Sequence, residues 1–404
     1  MVRRNGNMGR LPAGYLFPEI GKRRMKLALE NPKARIISLG VGNTTQPITP
    51  HVADALKKAA EGLGTRKGYS GYGDEQGFPE LRERIAKRVY QDNVEPGEVF
   101  ISDGAKCDIG RLQLMFGRDV TVAVQDPSYP VYVDGSVIVG ASGDYNVERR
   151  QFNRIAYLSC NPENGFFPDL KNAPKTDLIY FCSPNNPTGK VAEMQEMEEL
   201  VSFAKRNGSI VVYDSAYSEY ITDRGLPKSI FEIEGAKEVA IEISSFSKLI
   251  GFTGVRLGWT VVPEALKYDD GTPVINDWNR IMSTVFNGAS NIAQHGGLAA
   301  LDSVGLKEMR QTIRYYLVNA RIIREALESM GIRSWGGTNS PYIWAQFPGK
   351  KSWEVFDRIL DEAHVVTTPG SGFGPAGEGF VRFSAFGHRK DVEEAVGRLR
   401  KLKF

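Results

Sequence analysis

The chain has 404 residues, 41% of them hydrophobic and 25% charged, which suits a globular protein long enough for two domains. Its 51 basic and 48 acidic residues leave a net charge of +3, so there is no electrostatic case for nucleic acid or a membrane surface as partner. The three cysteines lie far apart and the four histidines form no metal-binding pair, which argues against a disulfide framework and a metal site. We expect a cytoplasmic protein, or one of the plastid stroma if its host is a photosynthetic eukaryote.

Through the first three hundred residues, short apolar runs alternate with longer amphipathic stretches. The runs predicted as strands are Val99–Ser102, Val120–Val124, Leu178–Cys182, Ile210–Tyr213, Val239–Ile243 and Leu257–Val262. Because these runs are almost continuously apolar, they suit strands buried on both faces of a parallel sheet. Apolar residues at helical spacing predict helices over Pro79–Tyr90 and Glu193–Asn207. The alternation predicts an α/β fold around a mostly parallel central sheet.

After about residue 300 the pattern changes to a smaller α+β arrangement. Helices are predicted over Gly305–Met330, Trp353–Ala363 and Arg389–Lys401, and strands over Pro341–Phe347 and Phe380–Ser384. We therefore predict a large domain over residues 46–300 and a small domain formed by residues 1–45 and 301–404. In this interpretation the turn-rich N-terminal segment packs with the C-terminal part.

One segment concentrates groups that bind a phosphate. Ser245 and Ser247 flank Lys248, a glycine-bearing loop follows, and Arg256 lies eight residues after the lysine. Hydroxyls and a guanidinium are suited to a phosphate dianion, and a lysine close to other cations loses its proton readily enough to condense with an aldehyde. A single lysine is usually a solvated surface charge, so the prediction depends on the whole frame.

This frame resembles the lysine signature of the class I/II aminotransferases, which are fold-type I enzymes dependent on pyridoxal 5′-phosphate (PLP). Three further motifs follow the order of that family: Ser183–Gly189 with Asn186, Tyr213–Tyr217 with Asp214, and Phe380–Ser384 with Arg382. The resemblance implies that Lys248 carries PLP as a Schiff base and moves the substrate proton. It also implies that Asp214 contacts the ring nitrogen, that Tyr217 and Asn186 contact the phenolic oxygen, and that Arg382 binds the substrate carboxylate.

Further segments resemble one subgroup of that family, the LL-diaminopimelate aminotransferases. They are Leu39–Pro47, Tyr69–Gly77, Ile101–Asp108, Gln125–Tyr132, Phe286–Ser290 and Phe383–Arg389. The sequence departs mildly from the subgroup at Val41 and Asn43. The resemblance implies transamination between LL-2,6-diaminopimelate and 2-oxoglutarate, which gives tetrahydrodipicolinate and glutamate in lysine biosynthesis.

The subgroup also implies roles for residues outside the four motifs, in a homodimer with shared active sites. Tyr129 would stack on the ring, Ala105 and Lys106 would lie at the phosphate, and Tyr72 would reach the phosphate in the neighbouring subunit. The residues implied to bind substrate are Tyr15, Gly42, Glu75 from the partner chain, Lys106, Tyr129, Asn186, Asn287 and Arg382. Glu75 could instead be a solvated acid at a helix N-terminus, where the helix dipole favours negative charge.

Other functions remain open at this stage. The chain could be an aminotransferase for aspartate, alanine or aromatic amino acids, or a PLP lyase. An aminotransferase-like transcription regulator is disfavoured, because only about 40 residues precede the shared pattern and no basic patch accompanies them.

Overall fold

The computed structural model describes residues 1–11 and 16–404, so the predicted substrate residue Tyr15 lies outside the described residues. Helices α1–α12 span, in chain order, Leu16–Glu30, Pro50–Leu63, Pro79–Arg88, Ala105–Phe116, Val131–Val139, Met194–Asn207, Phe246–Leu249, Val274–Val285, Asn291–Ala300, Ser303–Ser329, Ser352–Ala363 and Arg389–Leu399. Strands β1–β15 span Ile37–Ser38, Val99–Ser102, Val122–Asp126, Tyr145–Asn146, Gln151–Phe152, Ile155–Ser159, Leu178–Cys182, Ile210–Asp214, Ala240–Ser245, Gly258–Val261, Ser334–Gly336, Tyr342–Gln346, Val365–Val366, Thr368–Pro369 and Phe380–Ser384. None of the helices in the described ranges combines the length and apolar content that crossing a bilayer requires.

A seven-stranded sheet forms the centre of the molecule, in the order β2-β10-β9-β8-β7-β3-β6. Strand β10 runs antiparallel to its two neighbours, and the other pairings are parallel. Strands β2, β3, β7 and β9 are buried along their whole length, as continuously apolar strands between two helical layers should be. The predicted α/β fold with a mostly parallel sheet is confirmed.

Strand β6 and helix α1 are among the elements that the sequence patterns missed. Strand β6 lies at the sheet edge, and only Ile155 and Leu158 of its five residues are buried. Helix α1 begins at Leu16 within a segment interpreted as turn-rich, and buries Leu16, Ile20 and Leu27 on one face. Both elements are stabilised by tertiary packing that a local pattern does not reveal.

A second, four-stranded sheet in the order β11-β12-β15-β14 lies in the C-terminal part. Strand β1 pairs in parallel with β13, so the segment before Leu39 joins this part of the molecule. The first residues lie elsewhere: Asn7 donates to the carbonyl of Ile138 at 3.3 Å, against α5 beside the large sheet. The domain boundaries stay a prediction.

Buried Glu242 on β9 anchors the loop that follows β8. Its carboxylate accepts hydrogen bonds from Tyr90 Oη (3.1 Å), Ser215 Oγ (2.7 Å), Ser229 Oγ (2.6 Å) and the amide of Ile230 (3.1 Å). Burial raises the pKa of Glu242 to about 7, and the four donors partly oppose this rise. The acid therefore fixes the residue directly after Asp214.

Glu242→Ala should lower the free energy of unfolding by about 3 kcal/mol, because it leaves four buried donors without their acceptor. Urea unfolding followed by circular dichroism measures this change. Exposed Glu264→Ala is the control and should stay within about 0.5 kcal/mol of the wild type. Equal stability of the two variants would contradict the anchoring role.

Candidate active site

The carboxyl ends of three neighbouring parallel strands converge on one cavity. Strand β7 ends at Cys182, β8 ends at Asp214, and β9 ends at Ser245, which caps the short helix carrying Lys248. Loops that follow adjacent parallel strands meet at the same sheet edge, where ligands of such folds bind. The cavity measures about 330 Å³ and also receives Arg382 from the small sheet.

One end of the cavity gathers hydroxyl and guanidinium groups. Ser245 Oγ accepts from the amide of Ser247 at 3.0 Å and lies 2.9 Å from Ser247 Oγ, which Arg256 Nη1 approaches at 3.4 Å. A Cβ at Gly104 would lie 2.5 Å from Arg256 Nη2, and Gly104 has a φ of +122°, so only glycine fits there. The group of residues is compact enough to surround one phosphate.

Helix α4 points its N-terminus at this same end. Its N-cap residue is Gly104, which has no side chain to cap the helix, and its first residues, Ala105 and Lys106, line the cavity. A helix N-terminus with uncapped amides favours an anion, because amide hydrogens and the helix dipole both point towards it. The donor set here therefore fits the phosphate of the predicted cofactor.

Asp214 lies deep in the cavity and is held by two donors. Tyr132 Oη donates to Oδ2 at 2.8 Å, and the amide of Ala216 donates to Oδ1 at 3.0 Å. Burial raises the pKa of Asp214, while these hydrogen bonds favour the ionised form and oppose the rise. A buried carboxylate that keeps acceptor capacity suits the ring nitrogen that the sequence motif predicts.

Aromatic side chains form the walls around Asp214. Tyr129 packs edge-to-face on Tyr132, with ring centroids 6.1 Å apart, and the ammonium of Lys106 lies 6.0 Å from the Tyr129 ring centroid. On the other side the hydroxyls of Tyr217 and Tyr342 are 2.7 Å apart. These walls leave room for a flat ring between polar groups at both ends.

Lys248 lies beside these walls with its amine in the cavity. Its Nζ donates to the carbonyl of Gly42 and lies 5.5 Å from the centroid of the Phe386 ring. Burial, together with the positive charges of Arg382 and Arg256, lowers the pKa of Lys248 to about 8. About a tenth of this amine is therefore uncharged at pH 7, far more than at its ordinary pKa of 10.5, as a nucleophile or base requires.

The lowered pKa of Lys248 predicts the pH at which half of this amine is reactive towards an acetylating reagent. Acetic anhydride reacts only with the uncharged amine, so labelling of Lys248 in the cofactor-free protein should rise with pH and reach its midpoint near pH 8. Peptide mass spectrometry measures the midpoint. In urea the midpoint should return towards the ordinary value of 10.5. A folded-state midpoint near 10.5 would contradict the environment described for this lysine.

Arg382 is a buried cation, with 1% of its surface exposed. It donates to Asn186 Oδ1 and to the carbonyl of Gly40, each at 2.6 Å, and its guanidinium lies 4.3 Å from the Tyr342 ring centroid. Among the described residues no carboxylate forms a salt bridge with it, and its Nε has no hydrogen-bond partner. A buried guanidinium is costly unless paired, so the cavity is suited to a ligand carboxylate.

The structure brings most predicted site residues together. Those that line the cavity are Gly42, Ala105, Lys106, Tyr129, Asn186, Asp214, Tyr217, Ser245, Ser247, Lys248, Arg256 and Arg382. Three others lie outside it on an exposed patch formed by Tyr72, Glu75 and Asn287, with Tyr72 91% exposed. The patch is continuous, because a Cβ at Gly288 would lie 3.3 Å from the carbonyl of Asp74.

Some cavity residues were not predicted from the sequence. They include Tyr132, Cys182, Thr253 and Tyr342. Tyr132 ends the segment Gln125–Tyr132, but its position on the first turn of α5, facing Asp214, depends on how helix and sheet pack. Tyr342 was interpreted only as part of a buried strand, and no local signal distinguishes it from a core tyrosine.

Comparisons with known proteins agree with this geometry. Residues 34–399 match the family model described as aminotransferase class I and II. The chain is 58% identical over 402 residues to a protein from Oryza sativa subsp. japonica named probable LL-diaminopimelate aminotransferase, chloroplastic, covering 99% of this chain and 86% of that one. It is 53% identical over 400 residues to the LL-diaminopimelate aminotransferase of Protochlamydia amoebophila (strain UWE25), covering 99% and 97%.

A solved structure, L,L-diaminopimelate aminotransferase from Chlamydomonas reinhardtii, is similar with a TM-score of 0.96 and 59% identity, covering 100% of this chain and 99% of that chain. The predicted family and its fold are thereby confirmed. Together with the family match over nearly the whole length, these similarities mean that the chain belongs to the class I and II aminotransferases.

Proposed function

We propose that the chain catalyses reversible transamination between LL-2,6-diaminopimelate and 2-oxoglutarate, giving tetrahydrodipicolinate and glutamate in lysine biosynthesis. The observation that carries this proposal is the identity of 53% to 59%, over nearly the whole chain, to proteins named for diaminopimelate transamination. The geometry supports the same reaction class, because Lys248, Asp214 and Arg382 face one cavity.

The family depends on PLP, and the cavity offers groups for each part of that molecule. The residues that would hold it are Ser245, Ser247, Arg256, Ala105 and Lys106 at the phosphate, Tyr129 at the ring face, Asn186 and Tyr217 at the phenolic oxygen, and Asp214 at the ring nitrogen. When bound, the cofactor supplies an electron-withdrawing ring that accepts the electron pair of the substrate Cα–H bond. Asp214 would keep a proton on the ring nitrogen.

Arg382 and Lys248 would act directly on the substrate. Two guanidinium nitrogens of Arg382 would bind the α-carboxylate and thereby turn the Cα–H bond towards Lys248. The uncharged amine of Lys248 would take the proton from Cα in the donor half-reaction, and the resulting ammonium would deliver a proton to Cα in the acceptor half-reaction. The low pKa of this lysine suits both steps near neutral pH.

A homodimer would complete the substrate pocket. Tyr72, Glu75 and Asn287 share one exposed patch, and Asn291 Nδ2 ties the helix after it to Ser70 Oγ at 2.9 Å. We propose that this patch meets the cavity of a second copy, where Tyr72 reaches the phosphate and Glu75 meets the distal ammonium of diaminopimelate. Glutamate lacks that ammonium, so Glu75 would face water when glutamate is bound.

Glu75→Gln should lower kcat/KM for LL-diaminopimelate by about tenfold to a hundredfold, because a charge-assisted hydrogen bond to the distal ammonium is lost. The value for glutamate should change by less than about threefold, since glutamate has no ammonium at that end. Steady-state kinetics with both substrates measure the ratio. Exposed Glu80→Gln, on the nearby helix α3, is the control. Equal losses for both substrates would remove the distal-amine role.

The overall proposal is tested by titrating the purified holoenzyme with amino acids and recording its visible spectrum. LL-diaminopimelate and glutamate should each convert the cofactor to its amine form, and the meso isomer of diaminopimelate should do so less efficiently. Conversion by aspartate, alanine or an aromatic amino acid, without conversion by LL-diaminopimelate, would assign another aminotransferase. A lyase would turn over substrate without accumulating the amine form.

Two further assignments accompany the proposal. We propose a compartment in the cytoplasm, or in the plastid stroma of a photosynthetic host, since the rice relative is named chloroplastic. We also propose a large domain over residues 46–300 and a small domain formed by residues 1–45 and 301–404. Fractionation of host cells and limited proteolysis test these two assignments.

A further inference from the structure

Tyr342 lines the cavity, but none of the roles proposed for the site residues includes it. It lies on β12 of the small sheet and is 1% exposed, yet it lines the cavity beneath the large sheet. Its hydroxyl is 2.7 Å from the Tyr217 hydroxyl, and its ring lies under the Arg382 guanidinium at 4.3 Å. One side chain therefore contacts both a proposed cofactor residue and the proposed carboxylate clamp.

The N-terminal segment passes directly over this hydroxyl. A Cβ at Gly42 would lie 2.4 Å from Tyr342 Oη, so position 42 must be glycine while the hydroxyl is there. The carbonyl of the same Gly42 accepts from Lys248 Nζ. The Tyr342 hydroxyl is thus enclosed between Tyr217 and the segment that contacts the catalytic amine.

The charges around the pair decide which hydroxyl donates. Burial raises the pKa of Tyr217 well above its ordinary value and also raises that of Tyr342, so both keep their protons at neutral pH. The positive charge of Arg382 opposes the pKa rise of both hydroxyls, but the guanidinium lies directly over the Tyr342 ring at 4.3 Å and acts more strongly there, which makes Tyr342 the better donor. The other titratable groups facing the pair are Asp214, Cys182 and Tyr220.

We infer that Tyr342 is a positioning residue with two separable roles: its hydroxyl donates to Tyr217, and its ring supports Arg382. Donation from Tyr342 leaves the proton of Tyr217 free to point into the cavity, towards the phenolic oxygen of the cofactor. This inference rests on the proposed function for the roles of Tyr217 and Arg382. It links the residue that contacts the cofactor to the residue that contacts the substrate.

Two variants of the holoenzyme separate these roles. Tyr342→Phe removes only the hydroxyl, so Tyr217 becomes a weaker hydrogen-bond donor to the phenolic oxygen anion of the cofactor. This anion depends most on that hydrogen bond at high pH, where a neighbouring positive charge no longer compensates it. The pH midpoint of the cofactor's visible absorbance should therefore rise by about half a pH unit, and kcat should fall about tenfold. The dissociation constant of glutarate, a dicarboxylate without a reacting group, should stay within about twofold, because the ring still supports Arg382.

Tyr342→Leu removes the ring as well and should weaken glutarate binding at least about tenfold. Tyr157→Phe is the control: its hydroxyl accepts from the amide of Phe152 at 3.3 Å and lies outside the cavity, so the absorbance midpoint should not move. Thermal melting of each holoenzyme checks folding, and if Tyr342→Leu does not fold, Tyr342→Met replaces it in the glutarate measurement.

A wild-type absorbance midpoint and a wild-type kcat in Tyr342→Phe would overturn the hydroxyl role. Equal glutarate affinities in folded Tyr342→Phe and Tyr342→Leu would overturn the ring role. The absorbance midpoint and the glutarate affinity are measured without diaminopimelate, so an enzyme that fails to convert that substrate would refute the proposed function and still test Tyr342.

Discussion

Lys248→Ala is expected to lower kcat by about 10⁴-fold or more, because it removes the group that moves the substrate proton and the amine that holds the cofactor. The wild-type amine is poised for this work by its pKa of about 8, which results from burial and from the charges of Arg382 and Arg256. The visible absorbance of the variant should also differ from that of the wild-type holoenzyme, since the amine that would hold the cofactor covalently is gone. Steady-state kinetics and absorbance spectra of the purified variant measure both effects.

Lys248→Arg tests whether activity requires proton transfer by residue 248 or only its positive charge. Arginine keeps the positive charge but stays protonated in proteins, so this variant should be as inactive as the alanine variant. Added methylamine should restore part of the activity of Lys248→Ala, because a small amine can enter the space left by the side chain and act as a base. Exposed Lys350→Ala is the control and should keep wild-type activity. Normal turnover by Lys248→Ala would refute the assignment.

Arg382→Lys should lower kcat/KM by about 10²-fold to 10³-fold for both LL-diaminopimelate and glutamate. Lysine keeps the charge but loses the planar pair of donors that matches a carboxylate, and it cannot keep the hydrogen bonds to Asn186 and Gly40 together. Because both substrates carry an α-carboxylate, the two losses should be similar. Glu75→Gln, by contrast, should lower kcat/KM for LL-diaminopimelate much more than for glutamate. Comparing the two substrates therefore distinguishes the two variants.

Arg389→Lys is a matched control for this variant. Arg389 also stacks on a tyrosine, with its guanidinium 4.9 Å from the Tyr315 ring centroid, but it lies outside the cavity. Its replacement should leave kcat/KM within about threefold of the wild type. If Arg382→Lys behaves like Arg389→Lys, the carboxylate clamp lies elsewhere.

Sequence patterns predicted the parts of the fold whose information is local. Strands buried on both faces are continuously apolar, and this is why Leu178–Cys182 and Ile210–Asp214 were located within one residue. The chemistry of the frame around Lys248 is similarly local, because hydroxyls, glycines and an arginine within twelve residues form one cradle. Edge strand β6 and helix α1 depend on distant packing partners, and local patterns missed both.

The candidate site likewise combines residues that belong to local sequence motifs with residues that are placed by tertiary packing. Asp214, Lys248 and Arg382 belong to motifs that can be read in a single chain. Tyr132 and Tyr342 act through contacts with residues 82 and 125 positions away, and such contacts exist only once the sheets have packed. The roles proposed for Tyr72 and Glu75 require a second copy, and a single chain shows only that both residues are exposed.

The segment Leu39–Gly42 forms contacts with residues that are synthesised much later. Its carbonyls accept hydrogen bonds from Arg382 and Lys248, and Leu39 is tied to Val366 and Ser384 by backbone hydrogen bonds of 2.8 and 2.6 Å. The partners Val366, Arg382 and Ser384 are synthesised more than 300 residues after this segment. A nascent chain that has passed Arg256 but not Arg382 therefore carries the lysine loop without the arginine, and the cavity around Lys248 can be completed only after Arg382 has been synthesised.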